Sequence, residues 1–374
     1  MRKKINDYIL TASFMTIIFS VGICNELSEK KDTSFIENRS LAQKPEFSIE
    51  NIKDFTVNYE KYYSDQFLMR EDFLKAYTAL QLKLKKSVIQ DIYVNNDWLL
   101  GKVDALSNKS LDSKINSVVS LKKNFTDKNF YYFSVPHKAS ALSHLYPEYD
   151  TSVEKHLDNE NYLISNLNKN GISAYSMDSF FKSKFSKEEL ESMYYKTDHH
   201  WNAFGAYEAT KEILSTLNIP FDESLYDIIE VNNKSIIGSY NRKLGSLFSK
   251  KETLSYIVPP NISNLNIFAY VNNTLQKVNT NTYLSSQRNL EEVSYGGFYH
   301  SDLPYMKIVN NESLTDNKIL IIRDSYQAPT TSLFASIFKE VEIVDDRHTA
   351  KINKTLDDII KESNADTIIY LKYL

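Results

Sequence analysis

Hydrophobic and polar positions divide the chain into three zones. The first holds a charge-free, mostly apolar run from Tyr8 to Cys24, 17 residues long, behind Arg2, Lys3 and Lys4. That length is at the lower edge for crossing a bilayer, and the basic flank orients the amino terminus to the cytoplasm. The small-x-small pattern of a cleavage site is poor, so residues 1–29 are expected to be an uncleaved signal anchor, with a cleaved signal peptide as the second reading and a buried helix of a cytosolic protein as the third. Residues 30–52 are polar and irregular and are expected to form a tether, with a folded domain over 53–374.

Within that domain the periodicity changes repeatedly. Residues 54–86 carry a broad apolar stripe at helical spacing, without Gly or Pro. Ile92–Val94 and Trp98–Leu100 read as a hairpin turning at Asn95-Asn96-Asp97. Helices are predicted at 112–123, 152–169, 180–193 and 203–217, and strands at 129–135 and 172–175. Phe130-Tyr131-Tyr132-Phe133 is a near-continuous apolar run of the kind buried on both faces of a sheet. The clearest zone is carboxyl-terminal. Strand 319–322, helix 328–338, strand 341–344, helix 352–362 and strand 367–371 alternate as βαβαβ, which implies a parallel sheet with helical crossovers. Residues 221–300 show only loops and short β-like runs, expected to cover one end of the sheet.

The net charge of −4 gives no bulk electrostatic reason to bind nucleic acid. Cys24 is the only cysteine, so intrachain disulfides and Cys-based metal sites are excluded. The 26 Tyr and 20 Phe suit a sugar-handling surface, because a Tyr ring stacks and its hydroxyl hydrogen-bonds. Compositional bias accounts for them equally well.

Two stretches carry candidate chemistry. In extended backbone, residues i and i+2 point the same way. Asp198 and His200 of Asp198-His199-His200-Trp201 can therefore face one site while His199 faces away. A carboxylate beside an imidazole fixes its tautomer and stabilises the imidazolium, as a general base requires. Ser325, in Arg323-Asp324-Ser325-Tyr326, follows a buried strand and precedes a helix. Its hydroxyl is thus expected at the carboxyl edge of the sheet, with helix-start N–H groups available to an oxyanion. Each stretch has a plainer reading: Asp-x-His as a hydrogen-bonded loop, and Asp324 or Ser325 as a helix cap. Together they order Asp198, His200 and Ser325 as a triad.

Glu37-Asn38-Arg39-Ser40-Leu41 with Pro45-Glu46-Phe47, Asp65-Gln66-Phe67 with Arg70, Asp198-His199-His200-Trp201 with Gly205-Ala206, and Arg323-Asp324-Ser325-Tyr326 together resemble the DHHW family. That family is similar to the alginate O-acetylation proteins of the SGNH-hydrolase-like superfamily. The resemblance spans roughly residues 35 to 374. It implies an SGNH-like, flavodoxin-like three-layer αβα sandwich with a parallel sheet, preceded by the membrane anchor. It also implies acetyl transfer to, or removal from, a surface polysaccharide, with Asp198 orienting, His200 as base and Ser325 as nucleophile. Ordinary SGNH esterases place Ser first and the Asp-His pair last; here the order is reversed, and Arg323 stands where their motif has Gly.

Lower-ranked candidates for oxyanion or substrate contact are Gly296, Gly297, Tyr240, Asn241, Arg242, His137, Lys138 and Arg323. The resemblance calls for no cofactor. It implies a polysaccharide acceptor and an acetyl donor delivered by a membrane-bound O-acyltransferase, with the chain extracytoplasmic and held by residues 8–24. The competing readings are a polysaccharide acetylesterase with the same triad, a metal-dependent phosphoesterase using Asp-His-His, and a non-catalytic polysaccharide-binding protein.

Overall fold

The computed structural model describes residues 2–34, 36–37, 39–248, 252–260, 264–279, 292–299 and 303–374. The chain forms two compact units, Met1–Gln90 with Asn241–Ser249, and Asp91–Tyr240 with Lys250–Leu374.

In the first unit, helix α1 (Arg2–Leu27) contains the one segment among the described residues that is long and apolar enough to cross a membrane, Asn6–Leu27. The helical stripe expected over 54–86 is two helices, α2 (Ile52–Asp65) and α3 (Arg70–Lys83). They break at Gln66–Met69, where Met69 adopts a left-handed φ of 56°. The segment expected as a tether is strapped to this break. Arg39 grips Asp65 with two bonds of 2.8 and 2.6 Å, Arg70 reaches Glu37 at 2.6 Å, and the Gln66 amide exchanges bonds with the Lys31 backbone. The Arg39 guanidinium holds the Asp65 carboxyl down at about 2, against burial.

The second unit is built on an eight-stranded sheet. Its strands in chain order are β1 (Asn129–Ser134), β2 (Ser173–Ser176), β3 (Leu265–Val271), β4 (Thr274–Val278), β5 (Tyr305–Asn310), β6 (Thr315–Arg323), β7 (Phe338–Asp345) and β8 (Thr367–Lys372). Across the sheet they run β4-β3-β5-β7-β6-β8-β1-β2. The five strands β7, β6, β8, β1 and β2 are parallel, and β5, β3 and β4 extend the β7 edge antiparallel.

Counted from β6, the parallel strands have the order 2-1-3-4-5 of flavodoxin-like sheets, entered at a different strand. This accounts for the reversed motif order. The strand that precedes Ser325 is topologically first although it comes late in the chain, and the strands leading to Asp198 and His200 are topologically last although they come early.

Helices α4 (Asn108–Asn124), α5 (Ser152–Lys169) and α7 (Leu356–Glu362) cover one sheet face. There Leu111, Val118, Leu163 and Ile360 pack on Phe130, Leu320, Ile322 and Ile368. Alternation sends Ile319, Ile321 and Ile369 to the other face, where they are equally buried. Helices Met177–Lys184 and Thr331–Ile337 touch the sheet as well. The protein is therefore a mixed α/β sandwich with a mostly parallel central sheet.

Residues 221–300 depart from expectation. Part of the stretch supplies β3 and β4. Another part forms a small second sheet, with Asp227–Ile236 paired to Glu252–Val258 and to Glu292–Val293. Its own core includes Tyr195, Leu254, Val293, Tyr295 and Phe298.

Candidate active site

The Asp198-His199-His200-Trp201 stretch is a tight loop closed by a bridge between Tyr194 and Trp201. Asn202 then caps helix α6 (Ala203–Thr216) by accepting from the Phe204 and Gly205 N–H groups. Trp201 is wholly buried and donates its indole N–H to the Tyr326 carbonyl at 2.8 Å. That bond ties the loop directly to the turn that carries Ser325.

Three side chains form a continuous chain of hydrogen bonds. Asp198 Oδ1 lies 2.6 Å from His200 Nδ1, and His200 Nε2 lies 2.7 Å from Ser325 Oγ. Asp198 also accepts the His200 N–H through Oδ1 and the Ser239 N–H, at 2.6 Å, through Oδ2. Asp198 and His200 are buried, while Ser325 keeps partial exposure. Burial opposes ionisation of Asp198, but His200, His199 and the Ser239 N–H outweigh it and hold the carboxyl well below its ordinary range. A fixed carboxylate on Nδ1 puts a proton there and leaves Nε2 as the acceptor for the serine hydroxyl.

The turn after β6 is capped by its own aspartate. Asp324 caps the short helix Ser325–Thr330, accepting the Tyr326 N–H, and its other oxygen accepts the Tyr373 N–H. Ser325 is thereby spared for His200. The Tyr326 N–H, expected to be available for an oxyanion, is spent on that cap. The Ser325 N–H opens the same short helix and is not the donor that this cap uses.

The remaining predicted positions lie as follows. His199 does not turn fully away; its ring sits 3.7 Å from that of His200, and its Nδ1 meets Ser239 Oγ at 2.7 Å. Tyr240 is half-buried beside His199, with ring centroids 5.9 Å apart. His137 is no cleft residue: it is buried, and its Nδ1 accepts the Ala139 N–H. Burial holds its pKa well below 6.5, so the ring is neutral. Lys138 is likewise committed inward, and all three of its N–H donors go to backbone carbonyls: Leu99 at 2.9 Å, Lys196 at 2.8 Å and Asp198 at 2.9 Å. Burial draws its pKa down to about 7, yet three carbonyl acceptors match the ammonium form.

Arg323 donates to the Leu303 carbonyl at 2.9 Å from a buried position. Asn241 exchanges two bonds with the Phe248 backbone, and the Arg242 carbonyl accepts the Gly245 N–H. The Gly297 N–H is taken by Ser294 Oγ at 3.1 Å, and Gly296 follows Tyr295 in the same short helix.

Four residues of the site are not legible from motifs. The Tyr295 ring stacks on His200 at 3.7 Å and 2°. Glu252 receives the N–H groups of Lys196 and Thr197 and the Thr197 hydroxyl, which fixes the loop from the side of the small sheet. Ser239 supplies the N–H on Asp198. Gly238 passes so close to the Thr197 carbonyl that a Cβ would overlap it. Of these only Gly238 left a signal, as one of the chain's few glycines.

Asp198, His199 and His200 also bring one ligand atom each within 4.8 Å of one another, enough to receive a metal ion. In this geometry His200 already spends both nitrogens, on Asp198 and on Ser325.

No curated protein sequence matches the chain. Among solved structures, the chain is similar to Bacillus cereus PatB1, with 24% identity and a TM-score of 0.67 over 75% of this chain and 95% of that one. It is similar to PatB1 with a sulfonyl adduct at 23% identity and 0.65, over 75% and 94%. A DHHW family protein from Eubacterium siraeum follows at 20% identity and 0.60, over 76% and 92%. These similarities establish a shared fold. Residues 149–344, more than half of the sequence and inclusive of Asp198, His200 and Ser325, match the DHHW protein family, and the chain belongs to it.

Proposed function

We infer that the chain is an extracytoplasmic, serine-dependent O-acetyltransferase that modifies a cell-surface or secreted polysaccharide. The observation that carries this reading is the unbroken hydrogen-bond chain from Asp198 through His200 to Ser325 at the carboxyl edge of the sheet. His200 Nε2 takes the Ser325 proton as Oγ attacks the acetyl carbonyl. The tetrahedral intermediate collapses, His200 returns the proton to the departing donor oxygen, and an acetyl-serine remains. An acceptor sugar hydroxyl then gives its proton to His200 and attacks the same carbonyl, and the second tetrahedral intermediate expels Ser325 Oγ, which takes that proton back from His200. The Ser325 N–H is available to the oxyanion. The Tyr295 ring covers one face of the imidazole and fixes its plane.

Asn6–Leu27 serves as the anchor, with Arg2, Lys3 and Lys4 on the cytoplasmic side. A donor outside the cell implies a membrane-bound O-acyltransferase partner. Water in place of the sugar hydroxyl gives the esterase with the same residues.

The test has two arms. Incubation with a sulfonyl fluoride is expected to add one sulfonyl group to Ser325, found by mass spectrometry of the peptide, and none in His200→Ala. Acetyl transfer from an activated acetyl ester to oligosaccharide is expected to persist with a chelator present. Labelling that spares Ser325, or activity lost to the chelator, would return the site to the metal reading.

A further inference from the structure

Helix α3 has inverted polarity. Its polar residues Thr78 and Gln81 are buried, whereas Met69, Phe73, Tyr77, Leu80 and Leu84, at its ends and along it, are 52–64% exposed. At about 100° per residue these five fall within an arc of about 80°, one continuous stripe along the helix. Lys83, Lys85 and Lys86 follow at its carboxyl end.

The stripe begins where α1 ends. The Leu68 N–H donates to Asn25 Oδ1 at 2.7 Å, with Asn25 buried two residues before the end of α1. The next residues continue the attachment, through Lys31 to Gln66 and Glu71. The corner between α2 and α3 is thus bonded to the exit of the candidate membrane span.

We propose that α3 lies flat in the headgroup region of the membrane that α1 crosses, with Phe73, Tyr77 and Leu80 turned into the lipid. The inference rests on the anchor reading of α1. An exposed apolar stripe fixed at the point where a span leaves the bilayer suits an interfacial helix, with lysines for anionic headgroups at its carboxyl end and Glu71 and Asp72 in its first turn. Burial in lipid removes from water a stripe that the rest of its own unit leaves uncovered. Two contacts, the span and α3, would then hold this unit at the membrane.

The experiment uses the full chain with Cys24→Ser and single cysteines carrying an environment-sensitive NBD dye. The positions are Phe73→Cys and Tyr77→Cys on the stripe, Lys75→Cys on another face of the helix, and Met15→Cys within the span. The protein is reconstituted in phosphatidylcholine–phosphatidylglycerol vesicles with or without nitroxide-bearing lipid. Dye at 15, 73 and 77 is expected to lose about half its fluorescence to the nitroxide, and dye at 75 little. Quenching at 15 without quenching at 73 or 77 overturns the proposal while leaving the anchor in place, and a membrane protein would then be the occupant of the stripe. Quenching at none of the four positions overturns both. Equal quenching at 75 also overturns it, since the stripe would have no special contact.

Discussion

At the residue scale, the position of His200 follows from constraints on every side. Asp198 fixes one nitrogen, Ser325 meets the other, Tyr295 lies flat on the ring, and Tyr326 holds the neighbouring backbone by donating its hydroxyl to the His199 carbonyl at 2.7 Å. Asp198→Ala and His200→Ala are each expected to remove activity by about three to four orders of magnitude, as loss of one member of a cooperating set does. His199→Ala is expected to be milder, about tenfold or less, because His199 Nδ1 bonds Ser239 Oγ whereas His200 bonds both Asp198 and Ser325. Single-turnover acetylation rates check both. Tyr295→Leu keeps bulk but loses the stacked plane, and is expected to slow acetylation without preventing folding. Gly238→Ala cannot be accommodated in place. Its Cβ would push the Thr197 carbonyl and with it the Asp198 loop, so a fall in melting temperature together with lost activity is expected.

At the element scale, the Asp-His-His-Trp loop is fastened to its neighbours and has little freedom of its own. Lys138 pins three of the carbonyls around it from below, Glu252 takes three donors from the other side, and Trp201 bonds to the serine turn. Lys138→Met leaves those carbonyls buried without donors, at an expected stability cost of about 3 kcal/mol, measurable by urea unfolding. Much of this architecture was legible in the sequence. The apolar runs at 129–135, 319–322, 341–344 and 367–371 have no other stable home than a parallel sheet, and the two motifs named the hydrogen-bonded side chains. The break at Gln66–Met69 was hidden because it uses neither Gly nor Pro, only a left-handed Met69. The helix predicted from Ala328 begins instead as a 3₁₀ turn at Ser325, with Pro329 inside it. Residues 221–300 were opaque because their strands divide between two sheets. Nothing local announces that Tyr295 will meet a histidine nearly a hundred residues earlier.

At the scale of the whole molecule, stability and location are separate questions. Glu160 on α5 is buried, with one carboxylate oxygen lacking a partner among the described residues, and burial raises its pKa to about 7. The folded state therefore binds this proton more tightly than the unfolded chain, whose carboxyl titrates near 4.5. The resulting penalty is absent below the unfolded value and grows as the pH rises toward 7. Glu160→Gln is expected to be more stable than the parent at pH 8 by up to about 3 kcal/mol, with the difference closing near pH 4. Paired denaturation curves across that range read it directly. Location rests on the two proposals made above, that α1 anchors the chain and that the stripe on α3 adds a second contact with the same bilayer.

The proposed reaction is tested by turnover of a small activated acetyl ester by the intact protein beside Ser325→Ala, each with and without chelator. A serine acyl-enzyme requires chelator-insensitive release of acetate by the parent chain, with an acetyl group trapped on Ser325 after rapid acid quench, and neither in the mutant. Equal turnover by Ser325→Ala, or turnover abolished by the chelator alone, would contradict it.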